Sequence, residues 1–410
     1  MTEYTEFLQS KRLIVPSSGL KVSAEAIHPK LFDWQKDIVR WALRKGRAAI
    51  FADCGLGKTF MQLEWARLIG GRALIVAPLS VARQTVGEAA KIGLAVHYTR
   101  SGDDLMDSIN ITNYEMVERF DASDFASVVL DESSILKGLD GKTRRRVTEM
   151  FAETPYRLCC TATPAPNDIA EIANHSEFLG IMTRAEMLAA FFVHDDKGWR
   201  LKGHAREGFF RWLASWGMSI RKPSDLGYSD EGFILPDLDI RADFVRAENA
   251  PEGQLFWGAL HGLSDRIAAR RATIRERVQR AAELINSNNE QWIAWVGLNN
   301  EGRLLAQLVP DSVLQEGADS PDKKLGDIEA FQDGRVRVLV TKPRIAGFGM
   351  NLQNCANMVF VGLGDSYEQY YQCVRRCWRF GQTKPVTAHI VLTDMEAEIR
   401  ENVLRKEAQA

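Results

Sequence analysis

The stretch Ala52-Asp53-Cys54-Gly55-Leu56-Gly57-Lys58-Thr59 follows an apolar run at residues 47–51 and precedes an amphipathic stretch at residues 60–69. A strand, a glycine-rich turn and a helix in this order direct backbone N–H groups and a helix N-terminus at a polyphosphate. Glycines let the backbone approach the phosphates, a lysine reaches the β and γ phosphates, and a threonine hydroxyl binds Mg²⁺. The strict form of the pattern has glycine where this chain has Ala52. The stretch predicts a nucleotide-binding loop whose binding residues are Asp53, Cys54, Gly55, Leu56, Gly57, Lys58 and Thr59.

Length and charge limit the class of protein. The 410 residues are enough for two or three domains that each bury a core. The formal net charge of −2 means that any nucleic-acid surface has to be local. Candidate basic clusters lie at residues 142–146, 266–280 and 375–379. Each cluster also fits a solvated helix face, and for residues 266–280, which include Glu276, the two interpretations carry equal weight.

The cysteines and the apolar segments indicate a cytoplasmic chain. Six cysteines show no CxxC pair and no His-rich partner segment, which predicts reduced, partly buried thiols rather than disulfides or a zinc site. The first residues lack a charged region followed by an apolar core, and no apolar stretch approaches the length of a bilayer span. We therefore expect a cytoplasmic protein with no membrane partner.

Two halves of the chain show the α/β pattern, in which β-branched runs alternate with helical stretches. Strands are predicted at 73–77, 95–98, 109–112, 128–130 and 157–160, and again at 240–245, 292–296, 313–315, 336–340, 358–361 and 387–392. Helices are predicted at 31–43, where Asp33 is placed to cap, and at 264–286. This alternation is typical of parallel sheets covered by helices, with ligands at the carboxyl ends of the strands.

Between the halves, phenylalanine and tryptophan recur at helical spacing, which favours a helical core over a base-stacking platform. The predicted organisation is a leader at 1–28, an α/β domain at 29–167, a helical insertion at 168–236 and a second α/β domain at 237–410.

An acidic pair follows the predicted strand at 128–130. Asp131 and Glu132 come directly after this apolar run, downstream of the nucleotide-binding loop. Beside such a loop, an aspartate holds Mg²⁺ and a second carboxylate orients the attacking water. Thr161 and Thr163 end the strand at 157–160, where their hydroxyls fit either a γ-phosphate sensor or an ordinary Thr-Pro turn.

The second half carries a further glycine-rich loop and an arginine pair. Gly349 lies in a loop after the predicted strand at 336–340, where backbone can approach a phosphate closely. Gln372, Arg376 and Arg379 lie at i, i+4 and i+7, and on a helix they share one face. Two guanidiniums on one face favour an external anion. Arginine fingers from a second domain raise phosphoryl-transfer rates by about 10³–10⁵-fold.

The order of these motifs over residues 30–400 resembles the superfamily-two helicases, and among them the Swi/Snf-type ATPases. The resemblance implies two RecA-like domains in tandem, with Phe32 and Gln35 contacting the adenine of ATP. Residues 77–80 and 112–114 look like the first-domain motifs that follow a nucleic-acid strand, and residues 161–164 look like the coupling motif. Residues 346–352 and 372–382 are similar to the last two motifs, and the terminal Gly381-Gln382 narrows the resemblance to the Swi/Snf subgroup.

The chain also departs from the family. The acidic box has Ser134 where relatives carry histidine, and residues 364–367 replace an expected Asp-Trp-Asn-Pro element. The overall length resembles compact members from phage and prophage genomes rather than chromatin remodellers.

The resemblance implies an ATP-dependent, Mg²⁺-dependent enzyme that moves along double-stranded DNA, working as a monomer. Lys58, Asp131, Glu132, Arg376 and Arg379 are then the catalytic residues, with Thr59 and Asp131 on the metal. Nucleic-acid contacts are expected from Ser80, Arg83, Asn113 and Lys342. The alternatives are a strand-separating DNA or RNA helicase and an ATP-gated nucleic-acid clamp without productive turnover.

Overall fold

A computed structural model describes residues 14–137, 141–195, 198–246, 270–346, 350–364 and 366–393. The chain divides into two compact units, Met1–Phe233 and Ile234–Ala410. Each unit is built around its own parallel β-sheet. Among the described helices, none combines the length and the apolarity that crossing a bilayer requires.

The first unit alternates strands and helices from the predicted nucleotide-binding loop onward. Its described strands are β1 (Arg47–Ala52), β2 (Ala73–Ala77), β3 (Val96–Tyr98), β4 (Ile109–Asn113), β5 (Ser127–Asp131), β6 (Tyr156–Cys160), β7 (Phe192–Asp195), β8 (Gly198–Leu201) and β9 (Gly217–Ile220). Its described α-helices are α1 (Asp33–Lys45), α2 (Lys58–Ile69), α3 (Leu79–Lys91), α4 (Gly141–Met150), α5 (Ile172–Leu179), α6 (Arg184–Phe191) and α7 (Arg206–Ala214).

Seven of these strands form one sheet in the order β3-β4-β2-β5-β6-β1-β9, with parallel pairing throughout. Ile50 and Asp131 both register with Cys160 of β6, so β1, which continues to Ala52, ends only two residues beyond the level of the β5 end. Side chains alternate between the faces of a strand, and separate apolar clusters cover the two faces of the sheet. The sheet therefore brings the loops after β1 and β5 to one edge.

The segment predicted as a helical insertion contains three strands besides its helices. β7 and β8 form an antiparallel hairpin, and β9 joins the main sheet beside β1. Phe191, Phe209 and Trp212 are buried in the core, which agrees with the interpretation of the aromatic spacing as packing. These strands have four residues each, too few for an alternating pattern to appear in the sequence.

The second unit has the same architecture. Its described strands are β10 (Leu238–Val245), β11 (Trp292–Val296), β12 (Ser312–Leu314), β13 (Val338–Thr341), β14 (Asn357–Val361) and β15 (Val386–Thr393). Its described α-helices are α8 (Ile274–Asn286), α9 (Asn299–Leu308), α10 (Pro321–Gln332), α11 (Pro343–Ala346) and α12 (Tyr367–Cys377). The six strands pair in parallel in the order β10-β15-β14-β11-β13-β12. The predicted fold class, two parallel-sheet α/β domains in tandem, is confirmed.

A buried ion pair lies in the second unit, in the basic segment 266–280. Arg277 Nη1 is 2.7 Å from Glu301 Oε1, and both side chains are fully buried. The same nitrogen donates to Val361 O, at the end of β14. Glu301 also accepts hydrogen bonds from the backbone N–H groups of Gly297 and Leu298, between β11 and α9. The pair thus connects α8 to the carboxyl ends of two central strands.

Arg280, on the outer part of α8, makes an internal pair as well. It lies 2.7 Å from Asp243 on β10, which also bonds His389 of β15. Burial acts to raise the pKa of Asp243, but the hydrogen bonds from His389 and Arg280 outweigh it and lower that pKa. Both arginines are therefore paired with a carboxylate of the same unit. Arg277 is fully buried, so neither the nucleic-acid nor the solvated-face interpretation applies to it, whereas the Arg280 side chain is 40% exposed.

We predict that Arg277→Met lowers the free energy of unfolding of the second unit by about 3–5 kcal/mol, because it removes the cation 2.7 Å from the buried Glu301 carboxylate and leaves only Arg270, 3.8 Å away. Urea unfolding followed by tryptophan fluorescence measures the change. The matched control is Arg303→Met on α9, since Arg303 makes an exposed pair with Glu316 worth at most about 1 kcal/mol. Equal losses in the two variants would contradict the prediction.

Candidate nucleotide-binding site

The loop between β1 and α2 has the backbone geometry that its glycines predict. Gly55 and Gly57 have φ values of 88° and 74°, in the region that favours glycine. Helix α2 begins at Lys58, two residues before the predicted start, and Gly57 precedes it without a side-chain cap. The first N–H groups of a helix have no acceptor within the helix. Phe60 N donates to Gly57 O at 3.0 Å, so the N–H groups of Lys58 and Thr59 are the ones that can bind an anion placed at the loop.

Lys58 points its ammonium group into the loop. Its Nζ donates to Ala52 O at 2.8 Å and to Asp53 O at 3.3 Å, and the N–H of Cys54 donates to Asp53 Oδ1 at 2.6 Å. The lysine thus occupies the concave side of a turn whose helix end is uncapped. Together with the half-buried Thr59 hydroxyl, this donor set fits a nucleotide polyphosphate and Mg²⁺.

Gln35, on helix α1, holds the nucleotide-binding loop through a hydrogen bond. Its Nε2 donates to Leu56 O at 3.0 Å, and its Oε1 accepts from the N–H of Phe32 at 3.0 Å. A Cβ at Gly57 would lie 2.5 Å from Gln35 Nε2, so this contact needs glycine. Phe32 precedes α1 in place of the predicted Asp33 cap, and its ring is half exposed against Phe233. The adenine contacts of Phe32 and Gln35 stay predictions.

Asp131, at the end of β5, is joined to the helix of the nucleotide loop. Its Oδ2 accepts a 2.8 Å hydrogen bond from Gln62 Nε2 of α2, and both side chains are buried. Burial raises the pKa of Asp131, while the Gln62 bond and the charge of Lys58 act in the opposite direction. The carboxylate and Lys58 thus interact electrostatically across the strand ends. Gln62 has no motif of its own, and only its position one turn beyond Lys58 could have indicated it.

Glu132 adopts a backbone conformation that few non-glycine residues take. Its φ is +50°, in the left-handed region, and its side chain is largely buried. Such strain persists only where neighbouring groups hold it, and it concentrates at functional sites. Here Glu132 N donates to Asp131 Oδ1 at 3.0 Å, and Tyr114 donates to Asp131 O at 2.9 Å. The two acidic residues are therefore placed by buried hydrogen bonds.

A buried histidine contacts Ser133, the residue that follows the acidic pair. His175, buried on α5, is 3.1 Å from Ser133 Oγ through Nε2. Burial lowers the pKa of His175 from 6.5 to about 3, so the ring is neutral. Ser134, which stands where relatives carry histidine, is also buried. Sequence spacing did not indicate His175, because 42 residues separate it from Ser133.

Thr161 and Thr163 lie at the end of β6. Thr161 is fully buried; its N–H donates to Ile50 O and its hydroxyl accepts from Thr163 N. This geometry accounts for a turn, and it also places Thr161 beside β1. A phosphate-sensing role stays a prediction.

In the second unit, two arginines meet at one carbonyl group. Arg376 Nη1 and Arg379 Nη1 lie 3.4 Å and 3.5 Å from Met350 O. The two residues were expected on one helix face, but α12 ends at Cys377, so Arg379 lies beyond the helix. Trp378 leaves helical geometry with φ −86° and ψ 81° and donates through its indole to Pro236 O. The pair is therefore brought together by this turn; Gly349 lies outside the described residues.

The Gly-Gln sequence that follows has a structural role. Gln382 Nε2 donates to the carbonyl groups of Gln353, Cys355 and Cys377. Gly381 has a φ of 90°, and its missing side chain leaves room for Gln353. These bonds hold the loop before β14 against the end of α12.

The four residues expected to contact nucleic acid have different surroundings. Asn113 is buried and bonds Tyr98 and Glu115. Lys342 is half-buried and donates to Asn299. Arg83 is half-buried on α3, where only the backbone of Ser80 is described. All four contacts stay predictions, and Asn113 would have to exchange its present partners to make one.

Comparison with known proteins shows a helicase fold. Residues 308–381 match the family model of the helicase conserved C-terminal domain. The SWI2/SNF2 ATPase core of Sulfolobus solfataricus, solved with double-stranded DNA, is 19% identical over 95% of this chain and 94% of that chain, with a TM-score of 0.47. S. cerevisiae Dbp5, solved with RNA and ADP BeF3, is 13% identical over 92% of this chain and 88% of that chain, with a TM-score of 0.61. No curated protein matches the chain.

The class is therefore that of tandem RecA-like cores, and the predicted resemblance to superfamily-two helicases is confirmed. The phage-like character stays a prediction. Among the described residues, no group of three or more His, Cys, Asp or Glu side chains forms a metal site. Thr59 and Asp131 remain the residues that could hold Mg²⁺, which in nucleotide sites shares its ligands with phosphates and water.

We predict that Gly57→Ala weakens nucleotide binding by about tenfold or more, because the methyl group displaces Gln35 and a left-handed alanine costs about 1–2 kcal/mol. Titration with a fluorescent ATP analogue measures the affinity. Gly87→Ala on α3 is the control, since a Cβ there meets no atom within 4 Å. Unchanged affinity in Gly57→Ala would show that the loop rearranges freely.

We predict that His175→Gln reduces the loss of stability on acidification. The unfolded chain takes up a proton near pH 6.5 and the folded chain only near pH 3, so the native protein loses about 1.4 kcal/mol per pH unit between these values. Urea unfolding at pH 7, 6 and 5 gives the slope. The exposed His194 supplies the control His194→Gln. A His175→Gln slope equal to that of the parent would contradict the assignment.

Proposed function

We propose that this chain is an ATP-dependent DNA translocase of the Swi/Snf type, which hydrolyses ATP between its two RecA-like domains and moves along duplex DNA. The observation that carries the proposal is the contact between the helix that follows the nucleotide-binding loop and the acidic residue at the end of β5. Lys58 and Gln62 lie on one helix, and Gln62 bonds the Asp131 carboxylate at 2.8 Å. Phosphate-binding and metal-binding groups thus share one buried edge of the sheet.

Each residue of this edge has a role in ATP hydrolysis. The uncapped start of α2 and the Lys58 ammonium bind the phosphates, and Thr59 with Asp131 would hold Mg²⁺. The metal neutralises charge on the phosphates as it develops. Glu132, on its strained backbone, orients the attacking water and receives its proton.

The second domain supplies positive charge in this proposal. Arg376 Nε and Nη2 bond Gln372, and both guanidiniums also reach the neutral oxygen of Met350 in long hydrogen bonds, which are weak at 3.4–3.5 Å. The guanidiniums can exchange this neutral acceptor for the oxygens of a transferring phosphoryl group, as arginine fingers do. Hydrolysis then becomes linked to the relative motion of the domains.

DNA as the substrate rests on the motif resemblance, and above all on Gly381-Gln382. The helicase fold alone also fits strand separation on DNA or RNA. The clamp alternative rests on Ser134, because a coupling histidine is missing from the acidic box. These alternatives differ in turnover and in nucleic-acid preference, which a single assay separates.

We predict that Lys58→Ala and Arg379→Ala each abolish ATP hydrolysis, while Arg379→Ala still binds nucleotide, since Arg379 acts on transition-state charge and Lys58 on the bound phosphates. Phosphate release and fluorescent-nucleotide binding are measured in parallel. Arg335→Ala, which removes an exposed guanidinium paired with Asp333, is the control. Normal turnover in Arg379→Ala would remove the two-domain mechanism.

The same assay compares duplex DNA, single-stranded DNA and RNA at saturation. Stimulation by duplex DNA without strand separation supports the translocase. Unwinding without preference for DNA supports the general helicase, and nucleotide binding without stimulated turnover supports the clamp.

A further inference from the structure

Tyr114 connects the end of β4 to the acidic end of β5. It directly follows β4, and its hydroxyl donates a 2.9 Å hydrogen bond to the main-chain carbonyl of Asp131. The side chain is 6% exposed. Tyr114 was assigned above only as part of a segment resembling a nucleic-acid motif.

The bond acts on the peptide unit that carries Glu132. The carbonyl of Asp131 and the N–H of Glu132 belong to one planar group. Tyr114 holds its oxygen, and Asp131 Oδ1 accepts from its N–H at 3.0 Å. With both ends of the peptide fixed, Glu132 begins at a defined orientation and keeps its φ of +50°. Such a conformation relaxes when the groups that impose it are removed.

We propose that Tyr114 is a positioning residue of the hydrolytic site: its hydroxyl holds the Asp131–Glu132 peptide so that the Glu132 carboxylate is directed at the attacking water. The inference rests on the proposed function and deepens it. It also assigns Tyr114 a different contact from its neighbour Asn113, since Tyr114 bonds the main chain of Asp131 whereas Asn113 bonds Tyr98 and Glu115. The segment 112–114 then joins strand binding to the turnover site through one hydrogen bond.

The test is Tyr114→Phe, which removes one oxygen and keeps the ring. We expect the DNA-stimulated kcat to fall by about tenfold or more, with the KM for ATP and nucleotide affinity unchanged, because the water-activating group is misplaced while the phosphate site is intact. The matched control is Tyr156→Phe. Tyr156 begins β6 level with Ser127, at the opposite end of β5 from Asp131, and its kcat should stay at the parent value.

Two analogues at position 114 separate positioning from packing. 4-Aminophenylalanine keeps a donor at the end of the ring and should restore turnover, whereas 4-fluorophenylalanine fills the space without a donor and should not. This pair also carries the test if Tyr114→Phe does not fold. Equal kcat in the two analogues would overturn the proposal.

A readout without turnover keeps this inference separate from the proposed function. Amide hydrogen exchange at residues 128–137, measured without nucleotide, should be faster in Tyr114→Phe than in the parent and unchanged in Tyr156→Phe. If the parent protein has no ATPase activity, the proposed function is wrong. The hydrogen-exchange rates then still show whether Tyr114 positions the Asp131–Glu132 peptide. Parent-like exchange in Tyr114→Phe, or equal kcat losses in the two phenylalanine variants, would overturn it.

Discussion

The parallel register of β1, β5 and β6 is the constraint on which the candidate site depends. Because Ile50 and Asp131 are both level with Cys160, the end of β1 at Ala52 lies within two residues of the level of the β5 end. The chain leaves β1 into the phosphate-binding loop and leaves β5 into the acidic pair, and neither loop has to reach across the sheet. In a parallel sheet all carboxyl ends lie at one edge. A slip of one residue in this register would turn each side chain to the other face.

At this edge the polar groups are buried, and hydrogen bonds rather than ion pairs place them. Gln62, Tyr114 and His175 are all nearly inaccessible, and they bond Asp131 Oδ2, Asp131 O and Ser133 Oγ, respectively. A buried polar group without a partner costs about 1–3 kcal/mol, so each bond also fixes its acceptor. The result is a set of carboxylates held before any ligand arrives, which is the condition for electrostatic preorganisation.

Local sequence patterns were sufficient to predict the strands and the helices, whose side chains alternate with a short period. The apolar runs predicted the strands of both sheets except β9 to within two residues, and the Gly-Leu-Gly-Lys-Thr sequence predicted the loop and helix α2. The contacts that place the acidic pair could not be predicted this way. Gln62 and Asp131 are 69 residues apart, and their bond exists only because α2 packs beside β5. Likewise, the end of α12 at Cys377 depends on Trp378 reaching Pro236, 142 residues away.

The surroundings of the arginines distinguish two kinds of basic residue that the sequence presents alike. Arg277 and Arg280 each meet a carboxylate of their own unit, so their charge is neutralised in the folded protein. Arg376 is almost as deeply buried, yet its hydrogen bonds run to neutral oxygens of Gln372 and Met350. A guanidinium that stays charged in a buried site needs compensation that carbonyl dipoles supply only in part. Among these arginines, Arg376 is therefore the one whose positive charge no carboxylate of its own unit balances, and it can bind an external anion. An arginine that acts on phosphate must have this property.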